Sequence, residues 1–251
     1  MFNPILFYES GKKRLNFLAG LVGYYPLNSG ATDSSGKGYN GNVFGTPAYS
    51  VGKVSNAIDF GNNTALNCID IPDNSDFSFT NGTNDLPFTI SMWVKVNAFS
   101  NTGNWLINKR GDTNGTDEWQ LLIPPAGQIS FEKFQFNSKT TYQALLTPAS
   151  TIALNTWYHI TVTDAGTANI NDCKIYVNGV LNTVTRTTTG TYTRMNNGTA
   201  KTRVGFSAWV ADFNCKHRGL IDELAIWKNR ELTANEVLGL YNKGNAGISI
   251  I

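Results

Sequence analysis

Charge is scarce in this chain: of 251 residues only 20 are Lys or Arg and 18 are Asp or Glu, for a formal net charge of +2. Nucleic-acid binding draws on a clustered positive field along a phosphate track, so no nucleic-acid partner is expected. The one basic cluster, Lys12-Lys13-Arg14, reads as a solvated segment of an N-terminal arm. Long apolar runs are missing as well. None reaches the 18 or more residues of a membrane span, so no membrane partner is expected either. The apolar opening MFNPILFYES has its charges after the apolar stretch and no small-residue cleavage site, which speaks against a secretory signal. Cysteine is limited to Cys68, Cys173 and Cys215, without Cys-x-x-Cys or Cys/His spacing, so zinc and a disulfide framework are not expected. The three read as reduced, partly buried residues; a single bridge from Cys215 to Cys68 or Cys173 stays open.

What the chain has instead is 30 asparagines and 24 glycines, the make-up of many short strands joined by turns. The stretch CKIYVNGVLN shows this most sharply. A two-residue hairpin of type I′ needs positive φ at both central positions, and Asn178-Gly179 tolerates this best, so Lys174–Val177 and Val180–Val184 are expected to pair. In FTISMWVKV, Phe88, Ile90, Met92, Val94 and Val96 alternate with Thr89, Ser91, Trp93 and Lys95, the period of a half-buried strand. About a dozen such strands follow one another with no strand–helix alternation. The expected fold is all-β: two antiparallel sheets stacked as a sandwich, with one short C-terminal helix. In LTANEVLGLYNKG, Thr233 and Glu236 form a capping box, Val237, Leu240 and Tyr241 share a stripe, and Gly244 is expected to stop the helix. The large rings of Trp157 and Tyr158, which open a strand, are expected to fill the space between the sheets, and Trp93 and Trp227, embedded in strands, are expected to pack as structure in the same way.

The ordered set GLVGYYPLNSGATDSSGKGYNG, NAIDFGNN, IDIPDNSDFSF, FTISMWVKV, LINKR, TWYHITVTDAG, KIYVNGVLN and GLIDELAIWKNRELTANEVLGLYNKG resembles laminin-G-like, concanavalin A-like jelly-roll domains. The resemblance covers residues 20–244, between an arm (1–19) and a tail (245–251). It implies a curved sandwich that binds glycans or proteins, often with a structural calcium ion. The loop ATDSSGKGYNG supplies Asp33, Ser34, Ser35 and Asn40 as hard oxygen donors, and the resemblance places it against the last strand, with Asp222 as a second carboxylate. Asp-Ser-Ser-Gly also reads as an ordinary Asx-type turn.

Some relatives in the superfamily hydrolyse glycosidic bonds with paired acids on one strand, spaced Glu-x-Asp-x-x-Glu, and that pattern is absent here. Asp222-Glu223 and Asp117-Glu118 are adjacent pairs, which regular strand geometry turns to opposite faces. Neither His159 nor His217 accompanies a nucleophile motif, and His159 reads as a hydrogen-bonded structural residue. No enzymatic activity is expected. Glycan binding would use aromatic and planar polar residues in the long polar loops: Trp105, Arg110, Asp112 and Trp119, then Trp209, Asp212 and His217. The alternative for each ring is burial under its own loop.

The apolar arm and tail are expected either to cover the sandwich or to dock on something else. With no secretion signal, the arm suggests a protein made in a host cytoplasm and attached to virion structural proteins, as a bacteriophage capsid decoration or fibre-associated protein. A free-standing extracellular lectin is the alternative. A homo-oligomer is compatible with either.

Overall fold

The computed structural model describes residues 15–61, 66–111, 116–138, 140–207 and 215–251. Within them lie sixteen strands: β1 (Leu21–Tyr25), β2 (Asn42–Phe44), β3 (Ala48–Val51), β4 (Asn56–Asp59), β5 (Cys68–Ile71), β6 (Phe88–Val96), β7 (Asn104–Lys109), β8 (Trp119–Ile123), β9 (Ser130–Phe134), β10 (Tyr142–Leu146), β11 (Trp157–Asp164), β12 (Lys174–Val177), β13 (Val180–Leu181), β14 (Thr185–Thr189), β15 (Thr202–Val204) and β16 (Gly219–Lys228). One helix follows, α1 (Ala234–Asn245). The first sheet runs β13-β12-β11-β6-β16-β4-β3, with β1 also paired to β16; the second runs β14-β10-β9-β8-β7-β15-β5-β2.

Strand β6 sits between β11 and β16 in the first sheet, and both neighbours are antiparallel to it. Its alternation is realised as the sequence suggests. Phe88, Ile90, Met92, Val94 and Val96 all join the main core, where they meet Trp119, Leu121, Ile123 and Phe131 of the second sheet. Phe79 links the layers by stacking on Phe88 at 4.2 Å and on Trp119 at 5.3 Å.

The Asn178-Gly179 hairpin forms with φ of 51° and 78°, pairing Val177 with Val180 and Tyr176 with Leu181. Its second strand ends at Leu181, short of the expected Val184. The helix carries its capping box: Thr233 accepts from the Glu236 amide while Glu236 accepts from the Thr233 amide. Gly244 has a different role from the stop signal expected. The helix continues to Asn245, and the left-handed glycine is Gly247, at φ 71°. A Cβ on Gly244 would lie 2.2 Å from Trp93 Nε1, so this glycine lets the helix close on the sheet.

Trp93, Trp157 and Trp227 do not fill the space between the sheets. Trp227 joins Phe17, Tyr24, Val237 and Leu240 in a second cluster under α1, and Trp93 stacks on Tyr241 of the helix at 5.6 Å. Trp157 pairs with the outward Lys95 and is half-buried, whereas Tyr158 packs against the main core. His159 hydrogen-bonds Ser91 at 2.8 Å, in keeping with a structural role. No disulfide joins Cys68, Cys173 and Cys215, and all three are buried.

Both chain ends, as far as they are described, cover the sandwich. Phe17 enters the cluster under α1, its carbonyl accepts from Trp227 Nε1 at 2.7 Å, and Arg230 donates to the Asn16 carbonyl at 2.6 Å. Ile250 packs against the same cluster. Replacing Gly244 by alanine should therefore push α1 off Trp93 and cost about 1–3 kcal/mol, seen as a lower thermal midpoint. An unchanged midpoint would show that the helix does not need this close approach.

Candidate functional site

Alternation in the second sheet sends Ile107, Trp119, Leu121 and Phe131 inward and leaves the intervening residues outward. The strand register then assembles one outward row. Thr187 lies opposite Ala144, Ala144 opposite Glu132, and Glu132 opposite Gln120. Gln120 lies opposite Asn108, Asn108 opposite Arg203, Arg203 opposite Asp70, and Asp70 opposite Asn42. The row is polar almost from edge to edge.

Gln120 is its hub. Its Oε1 accepts from Trp105 Nε1 at 3.3 Å and Arg110 Nη1 at 2.7 Å, while its Nε2 donates to Glu132 Oε2 at 2.8 Å. Ser130 donates to the other Glu132 oxygen at 3.2 Å. Arg110 also pairs with Asp117 at 2.8 Å and lies 4.6 Å over the Phe134 ring, which neighbours Tyr142. Each planar group is thus fixed by another. Phe206 and Cys215 cover part of the middle of this face: the Phe206 carbonyl accepts from Asn108 at 2.7 Å, and Cys215 packs on Trp105 and Leu122. Beyond them Glu132, Tyr142, Ala144 and Leu146 are half-buried and Thr185, Thr187 and Thr189 are exposed. They form an accessible shelf over β9, β10 and β14.

The residues expected to bind a ligand fall into three groups. Trp105 and Arg110 are brought together by Gln120, but each is 4% exposed and acts from beneath the surface. Trp119 and His217 correct the expectation of exposure. The Trp119 ring lies in the core and donates to the Phe77 carbonyl, and His217 is buried against Phe60, with Nε2 at 3.3 Å from the Leu220 carbonyl. Asp112, Trp209 and Asp212 lie outside the described residues. Gln120, Glu132, Phe134 and Tyr142 were missed, although alternation in EWQLLIPP and QISFEKFQF carried the signal for the first three.

The Asp33 loop is an Asx-type staple. Asp33 Oδ1 accepts from the Tyr24 and Ser35 amides at 3.0 and 2.9 Å, and Oδ2 accepts from the Ser35 hydroxyl and Tyr39 amide at 2.9 and 3.0 Å. Asn40 Oδ1 accepts from the Asp33 amide at 2.9 Å. Burial pushes the Asp33 carboxyl up, but these donors outweigh it and hold it below the usual carboxylate range. Asp222 Oδ2 is likewise taken by the Lys53 and Val54 amides at 2.8 and 2.9 Å. A calcium ion needs six to eight oxygens turned toward it, so Asp33, Ser35, Asn40 and Asp222 as arranged do not fit one. Among the described residues no group of three or more His, Cys, Asp and Glu converges elsewhere.

The two adjacent acid pairs behave differently. Asp117 and Glu118 do face opposite ways, Asp117 to Arg110 and Glu118 to the buried Lys109 at 2.8 Å. Asp222 and Glu223 do not obey the alternation. The β16 register slips between Asp222 and Ala225, and Glu223 takes φ of 52°, so the bulge leaves both carboxyls on the outer side of the first sheet. There α1 and the tail cover Glu223, and the loop of residues 52–54 covers Asp222. Asp33→Ala should cost about 1–3 kcal/mol by stranding several buried amides, whereas added calcium should leave the thermal midpoint of the unaltered protein unchanged. A calcium-dependent rise in that midpoint would contradict the staple.

A family model described as the concanavalin A-like lectin/glucanases superfamily matches residues 64–238. No curated protein matches the chain. Among solved structures, the binding domain of Paraclostridial Mosquitocidal Protein 1 is similar with a TM-score of 0.69 at 20% identity, over 90% of this chain and 52% of that one. Domain 4 of an extracellular arabinanase from Geobacillus stearothermophilus, in complex with arabinotriose, gives 0.58 at 21%, over 88% and 98%. Botulinum neurotoxin type C, whose cell entry depends on interaction with two ganglioside molecules, gives 0.65 at 17%, over 90% and 52%. This chain thus spans about half the length of the two toxin chains, and at these identities the likeness shows the fold alone. By the family model, the chain belongs to the concanavalin A-like lectin/glucanases superfamily.

Proposed function

We propose that this protein is a non-catalytic glycan-binding module whose ligand lies on the outer face of the second sheet, over β9, β10 and β14. The observation that carries this reading is Glu132, half-buried and held by Gln120 and Ser130 beside the Phe134 and Tyr142 rings. A sugar offers a face of C–H groups and a rim of hydroxyls. A preset carboxylate next to an aromatic surface suits both. The arabinotriose complex of the arabinanase domain and the ganglioside dependence of the neurotoxin support a carbohydrate ligand on this fold.

Acid spacing supports the absence of bond cleavage. Glu132 and Asp70, the carboxylates of the outward row, are separated by β8, β7 and β15. Four strand spacings of about 4.8 Å put them roughly 19 Å apart. Paired hydrolytic carboxyls stand about 5–9.5 Å apart.

The finer proposal is a bacteriophage virion surface component, with a free-standing extracellular lectin as the alternative. Residues 15–19 are committed to the sandwich, so attachment to virion proteins is assigned to residues 1–14. Removing residues 1–14 should abolish co-sedimentation with particles and leave the thermal midpoint unchanged; retained co-sedimentation would favour the lectin.

Glycan binding itself is tested by calorimetry against an oligosaccharide panel that includes arabinotriose and ganglioside headgroups. Glu132→Ala should weaken the best ligand about 10–100-fold, the value of one or two charge-assisted hydrogen bonds. Binding that is equal in the variant, or absent across the panel, would contradict the assignment.

A further inference from the structure

On the outer side of the first sheet, Glu223 is held by a backbone conformation that non-glycine residues seldom adopt, φ 52°, within the β16 bulge. Its Oε2 accepts a hydrogen bond from Tyr24 Oη at 2.5 Å, and that same hydroxyl lies 2.6 Å from Ser249 Oγ in the C-terminal segment. Glu223 is 7% exposed, and its Oε1 has no hydrogen-bond partner. It shares a cavity of about 10 Å³ with Ser91, Trp93, His159, Ile248 and Ile250, room for about one water. A carboxyl with one free oxygen is therefore closed in by the last residues of the chain.

We propose that residues 246–251 are a proton-controlled latch, closed while Glu223 is protonated and loosened once it ionises. The protonated acid needs little solvation. The carboxylate is better served by water, which reaches it when the tail lifts.

The groups that face Glu223 fix the sign. Burial pushes its carboxyl up to about 7, with Asp222 adding to the rise; the Tyr24 hydrogen bond, the Ile250 amide and Lys243 of α1 act against it. Burial also raises Asp222 on the same strand, to about 6. Burial holds His159 of β11 down to about 3, so it stays neutral through this range, and burial keeps Tyr24 of β1 protonated. Burial lowers the ammonium of Lys243. Ser91 and Trp93 of β6 do not titrate, and Lys53 lies 4.9 Å from the Trp93 ring.

A carboxyl whose closed-state value exceeds its ordinary 4.5 binds its proton more tightly in the closed form. The latch is then firmest below about pH 4.5, loosens as pH rises toward about 7, and changes little beyond. A shift from 4.5 to about 7 corresponds to an opening constant that rises on the order of 100-fold.

The test is amide hydrogen exchange of residues 248–251 in the full chain and in Glu223→Gln, each at pH 5 and pH 8. Comparing the two proteins at each pH cancels the intrinsic rate. Tail exchange relative to the variant should rise about 100-fold from pH 5 to pH 8, with β6 amides unaffected; a ratio that stays constant would overturn the latch. Asp222→Asn should retain most of the rise, and its complete loss there would assign the switch to Asp222 instead. In a chain ending at residue 245, the carbon resonance of the Glu223 carboxyl should titrate near its ordinary range. An unchanged raised value there would show that the tail is not the cover.

Discussion

The inner face of β6 is the constraint on which the structure depends. Five apolar side chains at alternate positions give the first sheet its core surface, and a one-residue slip would bury Thr89, Ser91, Trp93 and Lys95 in their place. That register sets β11 on one side and β16 on the other. It also decides what lies outward. Ser91 and Trp93 emerge where α1 lands, with Trp93 against Gly244 and Ser91 bound to His159. The site beneath the C-terminal segment is the reverse side of the core.

The second sheet solves the opposite problem, because much of its outer face carries polar groups under partial cover. Gln120 satisfies Trp105, Arg110 and Glu132 together, and Arg110 in turn satisfies Asp117. Two lysines on the inner side are matched by acids: Lys109 meets Asp73 at 2.6 Å and Glu118 at 2.8 Å, and Lys133 meets Asp164 at 2.9 Å and Asp85 at 3.2 Å. A buried charge that loses its partner costs several kcal/mol, so these pairs fix the loops that carry Asp73 and Asp85 against the sheet. Polar matching gives the outer shelf a set geometry.

Much of the fold was legible in the sequence because period-2 alternation, Asn-Gly turns and a capping box are local rules. The β6 pattern, the Asn178-Gly179 hairpin and the Thr233 cap all follow from residues within a few positions of one another. The candidate site was less legible. Whether Trp105 reaches solvent depends on which residues from elsewhere in the chain pack on it, here Cys215, and no local pattern encodes that, whereas Trp119 is turned inward by the alternation of its own strand. The bulge at Glu223 left no trace either, since a glutamate at positive φ carries none of the glycine or asparagine signal that marks such a turn. Gly244 looked like a helix stop because the sequence does not show that a tryptophan from another element would sit against it.

Chemical-shift mapping of a bound oligosaccharide on the isotopically labelled protein tests the central claim most directly. The account predicts perturbations concentrated at Glu132, Tyr142, Ala144 and Thr187, with β6, β16 and α1 unaffected. Perturbations centred on the face under α1, or hydrolysis of the sugar during the titration, would contradict it.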